Sequence, residues 1–340
     1  MDMTRRGMLA SLAAGGAMAA IGADVAAEKP LKFCVFADLH FLPGTWANCS
    51  VEFLDKILNR AKAANCDAVF QLGDFVQGVH TPAIRDFVKH YNEFSVPTYH
   101  VLGNHECDFT SFQDILEAYR LDKGYYKFDV KGWRFVVLNP HYWSDGGVLR
   151  PFERENYWKK IKPGAPCYCL PPEQFEWFED AVVNSPYPCI ILSHESMMRP
   201  PNDGLYDRDR LLAVVRKANA KRKGQVRLVA CGHHHVSHFA IEDGIPFWEV
   251  NGANFYSNGF KHEHYPADFL KKHPCTRITL TRAEPLSAIV TIGPGGHLKI
   301  EGARADWIYG VGPEKIGAKA YDPSGRKASD SIPDIDITLA

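Results

Sequence analysis

The 340-residue chain has no excess of charge: 39 lysines and arginines stand against 40 aspartates and glutamates, a formal net charge of -1. With no basic stripe either, the balance argues against a partner that is a nucleic-acid polymer held by bulk positive charge. The densest basic run, Lys217 to Lys223, reads as the solvated end of a helix. Also missing beyond the N-terminal region is any apolar run near the roughly 18 residues of a membrane-crossing helix. No stable span is therefore expected in the mature chain. Cysteine has no pattern. The count of 9 is odd, and no spacing reads as a disulfide framework. Cys34, Cys189 and Cys231 fall inside apolar runs and suit small core positions, and Cys167 and Cys169 have no second pair to complete a metal site. There is no internal repeat. From about Gly312 the chain is polar and rich in Pro, Gly and Ser, so residues 311–340 are expected to be a loosely ordered tail.

What is present begins with Thr4-Arg5-Arg6-Gly7-Met8-Leu9, then an Ala- and Gly-rich apolar stretch to about Gly22 and small residues at Val25-Ala26-Ala27. This resembles a twin-arginine export signal occupying 1–27, with Met8 where Phe is more usual. It implies a chain exported to the periplasm or the extracellular space.

Past it, short apolar runs alternate with helical periodicity. Leu31–Phe36, Ala68–Leu72, Thr98–Leu102, Cys189–Leu192 and Val226–Cys231 read as strands covered on both faces. Val51–Ala64, Pro82–Phe94, Pro172–Val183 and Asp207–Ala220 read as helices. Tyr125–Leu138 reads as a hairpin turning at Lys131-Gly132, and Asp243-Gly244 as a second hairpin turn. Residues 139–170 break the rhythm with Pro, Gly and aromatics, an insert suited to a lid or to packing on its own rings. Arg277–Leu280, Ser287–Ile292 and His297–Ile300 read as C-terminal strands within an extension over 261–310. The order gives an α/β class: sheet layers flanked by helices, with extra C-terminal strands.

Five of the apolar runs finish in metal-ligand types: Asp38-Leu39-His40, Gly73-Asp74, Gly103-Asn104-His105-Glu106, Ser193-His194-Glu195 and Gly232-His233-His234-His235. Ligands collect at the carboxyl ends of strands in open α/β sheets, so these segments are expected to converge. Extended backbone points residues i and i+2 the same way, which pairs Asp38 with His40 and His233 with His235 and turns His234 aside. Carboxylate with imidazole suits Zn, Mn or Fe better than Ca.

Singly these fragments are common. The ordered set of five resembles the calcineurin-like metallophosphoesterase superfamily, whose pattern D-x-H, G-D, G-N-H-[DE], H, G-H-x-H is complete here across roughly residues 31 to 250. The resemblance implies a four-layer α/β/β/α sandwich of two mixed sheets, a domain over 28–260, and two divalent or trivalent metal ions (Mn, Fe or Zn). One would be held by Asp38, His40, Asp74 and His235, the other by Asp74, Asn104, His194 and His233, with Asp74 and a hydroxide bridging them. That hydroxide would attack phosphorus, and His105 would serve the leaving group. Glu106 would orient a histidine. The implied activity is hydrolysis of a small-molecule phosphate ester, foremost a phosphodiester or pyrophosphate such as a nucleotide's. A phosphomonoesterase on the same ions, a metal-free scaffold and a nuclease are the alternatives. His141, Arg150, Arg154 and Arg199 are candidate substrate contacts. The oligomeric state is left open by the sequence.

Overall fold

The computed structural model describes residues 29–43, 51–162, 164–257 and 259–339. The export signal expected at 1–27 lies outside them.

Strands β1 (Leu31–Phe36), β2 (Ala68–Leu72) and β3 (Thr98–Val101) alternate with helices α1 (Val51–Ala63) and α2 (Pro82–Asn92). The helices bury the stripes their periodicity announced, Leu54, Ile57, Leu58 and Ala61 on α1 and Ile84, Phe87, Val88 and Tyr91 on α2, except that Val51, expected on the α1 stripe, is exposed at the helix start. Thr81 caps α2 by accepting from the Ile84 amide, and Pro82 sits in the first turn, where a missing N–H breaks no helical bond. Helix α3 (Phe112–Tyr119), capped by Ser111, was not anticipated. Then follow the hairpin β4 (Tyr126–Val130) and β5 (Trp133–Val137), a small hairpin β6 (Tyr142–Asp145) and β7 (Val148–Pro151), and the one-turn α4 (Asn156–Lys159). Next come α5 (Pro172–Val183), β8 (Cys189–Leu192), α6 (Arg208–Lys221), β9 (Val226–Cys231), β10 (His238–Glu242) and β11 (Ile245–Glu249). The C-terminal part adds β12 (Phe255–Tyr256), α7 (Ala267–Lys272), β13 (Leu280–Thr281), β14 (Ala288–Ile292), β15 (His297–Glu301), β16 (Ala303–Arg304), α8 (Pro313–Ile316), β17 (Ser331–Ile332) and β18 (Ile335–Thr338).

Two six-stranded sheets result, ordered β18-β15-β14-β1-β2-β3 and β10-β11-β9-β8-β5-β4. β1 to β3 run parallel in the first, and β5, β8, β9 and β11 run parallel in the second. Antiparallel strands complete both. Alternation along β1 sends Phe33 and Val35 into the layer between the sheets, with Phe70, Phe135, Ile190, Leu228 and Trp248. Cys34 and Phe36 face the other way, onto α1 and α2. Phe178, Val182, Leu211 and Val215 of α5 and α6 cover the outer face of the second sheet. This is the α/β/β/α sandwich that the resemblance implies. Phe70 sits at its centre with Phe33 at 5.5 Å and Phe135 at 4.6 Å between ring centroids; truncation of such a ring to alanine typically costs about 3–5 kcal/mol.

The C-terminal region departs from expectation. β14 is the antiparallel neighbour of β1, so the late strands extend the first sheet from its middle outwards. The tail is ordered: β18 pairs with β15, and Arg326 reaches Glu249 at the end of β11. Its Pro and Gly content hid an alternation, Ile335 and Ile337 packed inward and Asp336 and Thr338 facing out. The strand expected at Arg277–Leu280 is instead a 3-10 turn, Pro274–Ile278, which leaves only β13. Within the described residues the insert is structured too, carrying β6, β7 and α4.

Candidate metal centre

The carboxyl ends of β1, β2, β3, β8 and β9 open onto one rim, and the five motif segments meet there. Their turns are laced by backbone bonds: the amide of Asp38 donates to the Gly73 carbonyl at 3.0 Å, that of His40 to the Asp74 carbonyl at 2.8 Å. Close approach excludes side chains at two positions. A Cβ on Gly73, which has φ of +93°, would lie 2.2 Å from His194 Nδ1, and one on Gly103 would lie 2.3 Å from Asp74 Oδ1.

Strand alternation, the reason given above for pairing Asp38 with His40 and His233 with His235, is not how the pairs meet. All four have left-handed backbone, φ +55°, +53°, +74° and +53°, as does Asp74 at +50°. Such conformations in bulky residues are strained and gather at functional sites. The chain turns sharply at these five positions, and that turning brings i and i+2 together.

Three overlapping groups of ligand atoms form: Asp38, His40 and His235; His40, Asp74 and His105; and Asp74, His194 and His233. His40 Nε2 lies 3.1 Å from His235 Nε2, and His235 Nε2 lies 3.6 Å from Asp38 Oδ1. His194 Nε2 lies 3.1 Å from Asp74 Oδ2 and 3.2 Å from His233 Nδ1. Asp74 stands between the groups, with Oδ2 also 3.7 Å from His40 Nε2. His234 stays out of these groups, packed on the His233 ring.

The donor set fits cations. His194 Nδ1 faces the Leu72 carbonyl at 2.6 Å, and His235 Nδ1 faces the Phe255 carbonyl at 2.7 Å. A carbonyl only accepts, so each Nδ1 carries a proton and each Nε2 points inward. Imidazole nitrogens and carboxylates then face one another in a buried space. Asn104 Oδ1, also buried, has no hydrogen-bond donor among the described residues.

The electrostatics show the same strain. Burial, reinforced by the charge of Asp74, lifts the Asp38 pKa well above the usual carboxylate range despite His194. For Asp74, burial also pushes upward, but His194, His105 and His40 together hold its pKa well below that range. Burial lowers His40, takes His235 down to about 3 and, with His194 adding to it, His233 to about 4. His105 differs: burial lowers its pKa, yet Asp74 and the bond to Asp108 outweigh that and raise it to about 9. Its Nδ1 binds Asp108 Oδ2 at 2.7 Å, and 35% of the side chain is exposed, so the imidazole can meet a substrate.

Other expected residues stand elsewhere. Glu106 orients backbone and not a histidine: its carboxylate accepts from the amides of Asp74, Phe75, Val76 and Gly103 and from the Tyr119 hydroxyl. His141 is buried behind His194, with Nδ1 bonded to Asn139 and Nε2 to Glu195 at 2.8 Å. Arg199 is buried too, its guanidinium held by Glu249, Asp203 and Asp322, because a buried cation needs partners. Neither is open to a substrate. Arg150 pairs with Asp145 across the β6–β7 hairpin, and Arg154 lies exposed beyond it. The sequence gives no place at the site to two residues: Asp108, two positions after Glu106, and Tyr157, one of the insert's aromatics. Tyr157 donates to Asp108 Oδ1 at 2.8 Å and accepts from Asn104 Nδ2 at 3.4 Å.

The model of the family described as calcineurin-like phosphoesterase matches residues 31–237. A search of curated protein sequences returned no match. Among solved structures, a dimetal phosphatase from Danio rerio aligns with TM-score 0.59 at 16% identity, covering 91% of this chain and 99% of its own. GAP50, the anchor in the inner membrane complex of Plasmodium, aligns with TM-score 0.51 at 12% identity, covering 92% and 90%. PhoD aligns with TM-score 0.50 at 13% identity, covering 93% and 73%. At such identities the likeness is one of fold, which by itself does not assign an activity. The family match spans every motif segment, and the chain belongs to the calcineurin-like phosphoesterases, metal-dependent hydrolases of phosphate esters.

Proposed function

We propose that the chain hydrolyses a phosphodiester or pyrophosphate bond of a small molecule such as a nucleotide at a two-metal centre. One ion would be held by Asp38, His40, Asp74 and His235, the other by Asp74, Asn104, His194 and His233. The observation that carries the reading is Asp74: one carboxylate shared by two groups of inward-facing ligand atoms, beside Asn104 Oδ1, which has no donor among the described residues. Two ions there would supply Lewis acidity toward the phosphoryl oxygens and an activated water.

The chain's own part follows from its geometry. Left-handed turns at Asp38, His40, Asp74, His233 and His235 fix the ligands before substrate arrives. His105 has Nδ1 held by Asp108, which leaves Nε2 to donate a proton to the departing oxygen. Hydrolysis of bis-p-nitrophenyl phosphate by the metal-loaded chain, abolished by EDTA, supports the diesterase reading. Turnover of p-nitrophenyl phosphate alone makes the protein a monoesterase. For the N-terminal segment we propose twin-arginine export, supported by Arg5-Arg6 and the apolar stretch behind them. Cell fractionation with Arg5-Arg6→Lys-Lys tests it.

A further inference from the structure

We propose that the hydroxyl of Tyr157, supplied by the insert, is the positioning group that sets both the amide orientation of Asn104 and the seat of Asp108 against His105. The inference rests on the two-metal reading above and goes beyond it, because it assigns a working role to a residue outside every motif.

The argument is one of hydrogen-bond direction. Asp108 bonds His105 Nδ1 through Oδ2 at 2.7 Å and Tyr157 through Oδ1 at 2.8 Å. A carboxylate facing both groups accepts, so the Tyr157 O–H points at Asp108. What remains on the Tyr157 oxygen is a lone pair, and it faces Asn104 Nδ2 at 3.4 Å. Only the NH2 end of an amide can donate there. Asn104 is thereby locked with Oδ1 on the other side, the buried oxygen that has no donor among the described residues. A flipped amide would set two acceptors against each other at Tyr157 and lose the oxygen ligand. One hydroxyl thus fixes a metal-facing oxygen and, through Asp108, the histidine that serves the leaving group. The Tyr157 ring also stacks on Phe152, with centroids 4.8 Å apart and planes within 7°, a contact separate from the hydroxyl's bonds. Asn156 anchors the same turn by donating to the Pro151 carbonyl.

The experiment uses the metal-stripped full chain, titrated with Mn by calorimetry, and an aryl phosphodiester series of rising leaving-group pKa assayed at saturating Mn. Tyr157→Phe is expected to weaken one of two Mn equivalents by about 10–100-fold while leaving the other unchanged. At saturating Mn its rates are expected to fall more steeply with leaving-group pKa than wild type. Phe152→Leu, which disturbs the stacking and keeps the hydroxyl, is expected to bind both equivalents as wild type does. Two wild-type affinities and an unchanged leaving-group slope in Tyr157→Phe overturn the proposal. So does an equal loss in Phe152→Leu, which assigns the effect to packing. A wild-type chain that binds no Mn contradicts the two-metal reading itself, an outcome distinct from either.

Discussion

The carboxylates of Asp74 and Glu106 each fasten the turn that carries the other. Glu106 Oε2 accepts the amide of Asp74 at 3.1 Å, while Asp74 Oδ1 accepts the amide of His105, the residue before Glu106, at 2.8 Å. The Gly-Asp turn after β2 and the Gly-Asn-His-Glu turn after β3 are therefore one mechanical unit. A ligand carboxylate that also braces backbone cannot rotate freely, which preorganises it for a cation.

This unit makes Glu106→Gln informative. Five donors converge on the Glu106 carboxylate, and a glutamine amide would present its own donors to some of them. The variant is expected to fold but to lose about 1–3 kcal/mol in chemical denaturation. Metal affinity should fall about 10–100-fold by titration, because the turn bearing Asp74 loosens. Unchanged affinity would mean that the brace does not reach the site.

His105→Asn separates chemistry from binding. The expected outcome is a fall in kcat of about 100- to 10,000-fold with two equivalents of metal retained in elemental analysis. Loss of a metal equivalent instead would make His105 a ligand.

A third prediction concerns acid stability, through a histidine away from the centre. His100 is buried between Gln71 at 3.0 Å and Asn92 at 2.7 Å, and burial lowers its pKa to about 3. It stays neutral when folded, whereas the unfolded chain binds a proton near pH 6.5. The unfolded state then holds more protons between these values, so stability is full above about 6.5 and falls as pH drops toward 3. The slope from this group is about 1.4 kcal/mol per pH unit within that window. His100→Gln is expected to flatten that dependence in denaturation curves taken from pH 7 to pH 4. An unchanged slope would place the titration elsewhere.

Much of this architecture was legible because the signals are local. Apolar runs ending in Asp, His or Asn marked the strands and the rim together, and the stripes on α1 and α2 marked their buried faces. What escaped depended on contacts distant in sequence. Nothing near His141 or Arg199 announces that Glu195 and Glu249 bury them, since those partners lie 54 and 50 residues away. The tail was misjudged because Pro333 and the glycines outweighed a four-residue alternation whose partner, β15, lies over 30 residues upstream. Asp108 was within reach: it falls three residues after His105, where one short turn brings a carboxylate back to the imidazole.

The measurement that tests the central claim most directly is Mn reconstitution of the stripped protein, with bound metal and bis-p-nitrophenyl phosphate hydrolysis followed in the same titration. The account predicts negligible hydrolysis in EDTA, activity that rises with the second equivalent bound, and loss of both metal stoichiometry and activity in Asp74→Asn. Full hydrolysis by the metal-free chain, or an Asp74→Asn variant that binds two equivalents and turns over like wild type, would contradict it.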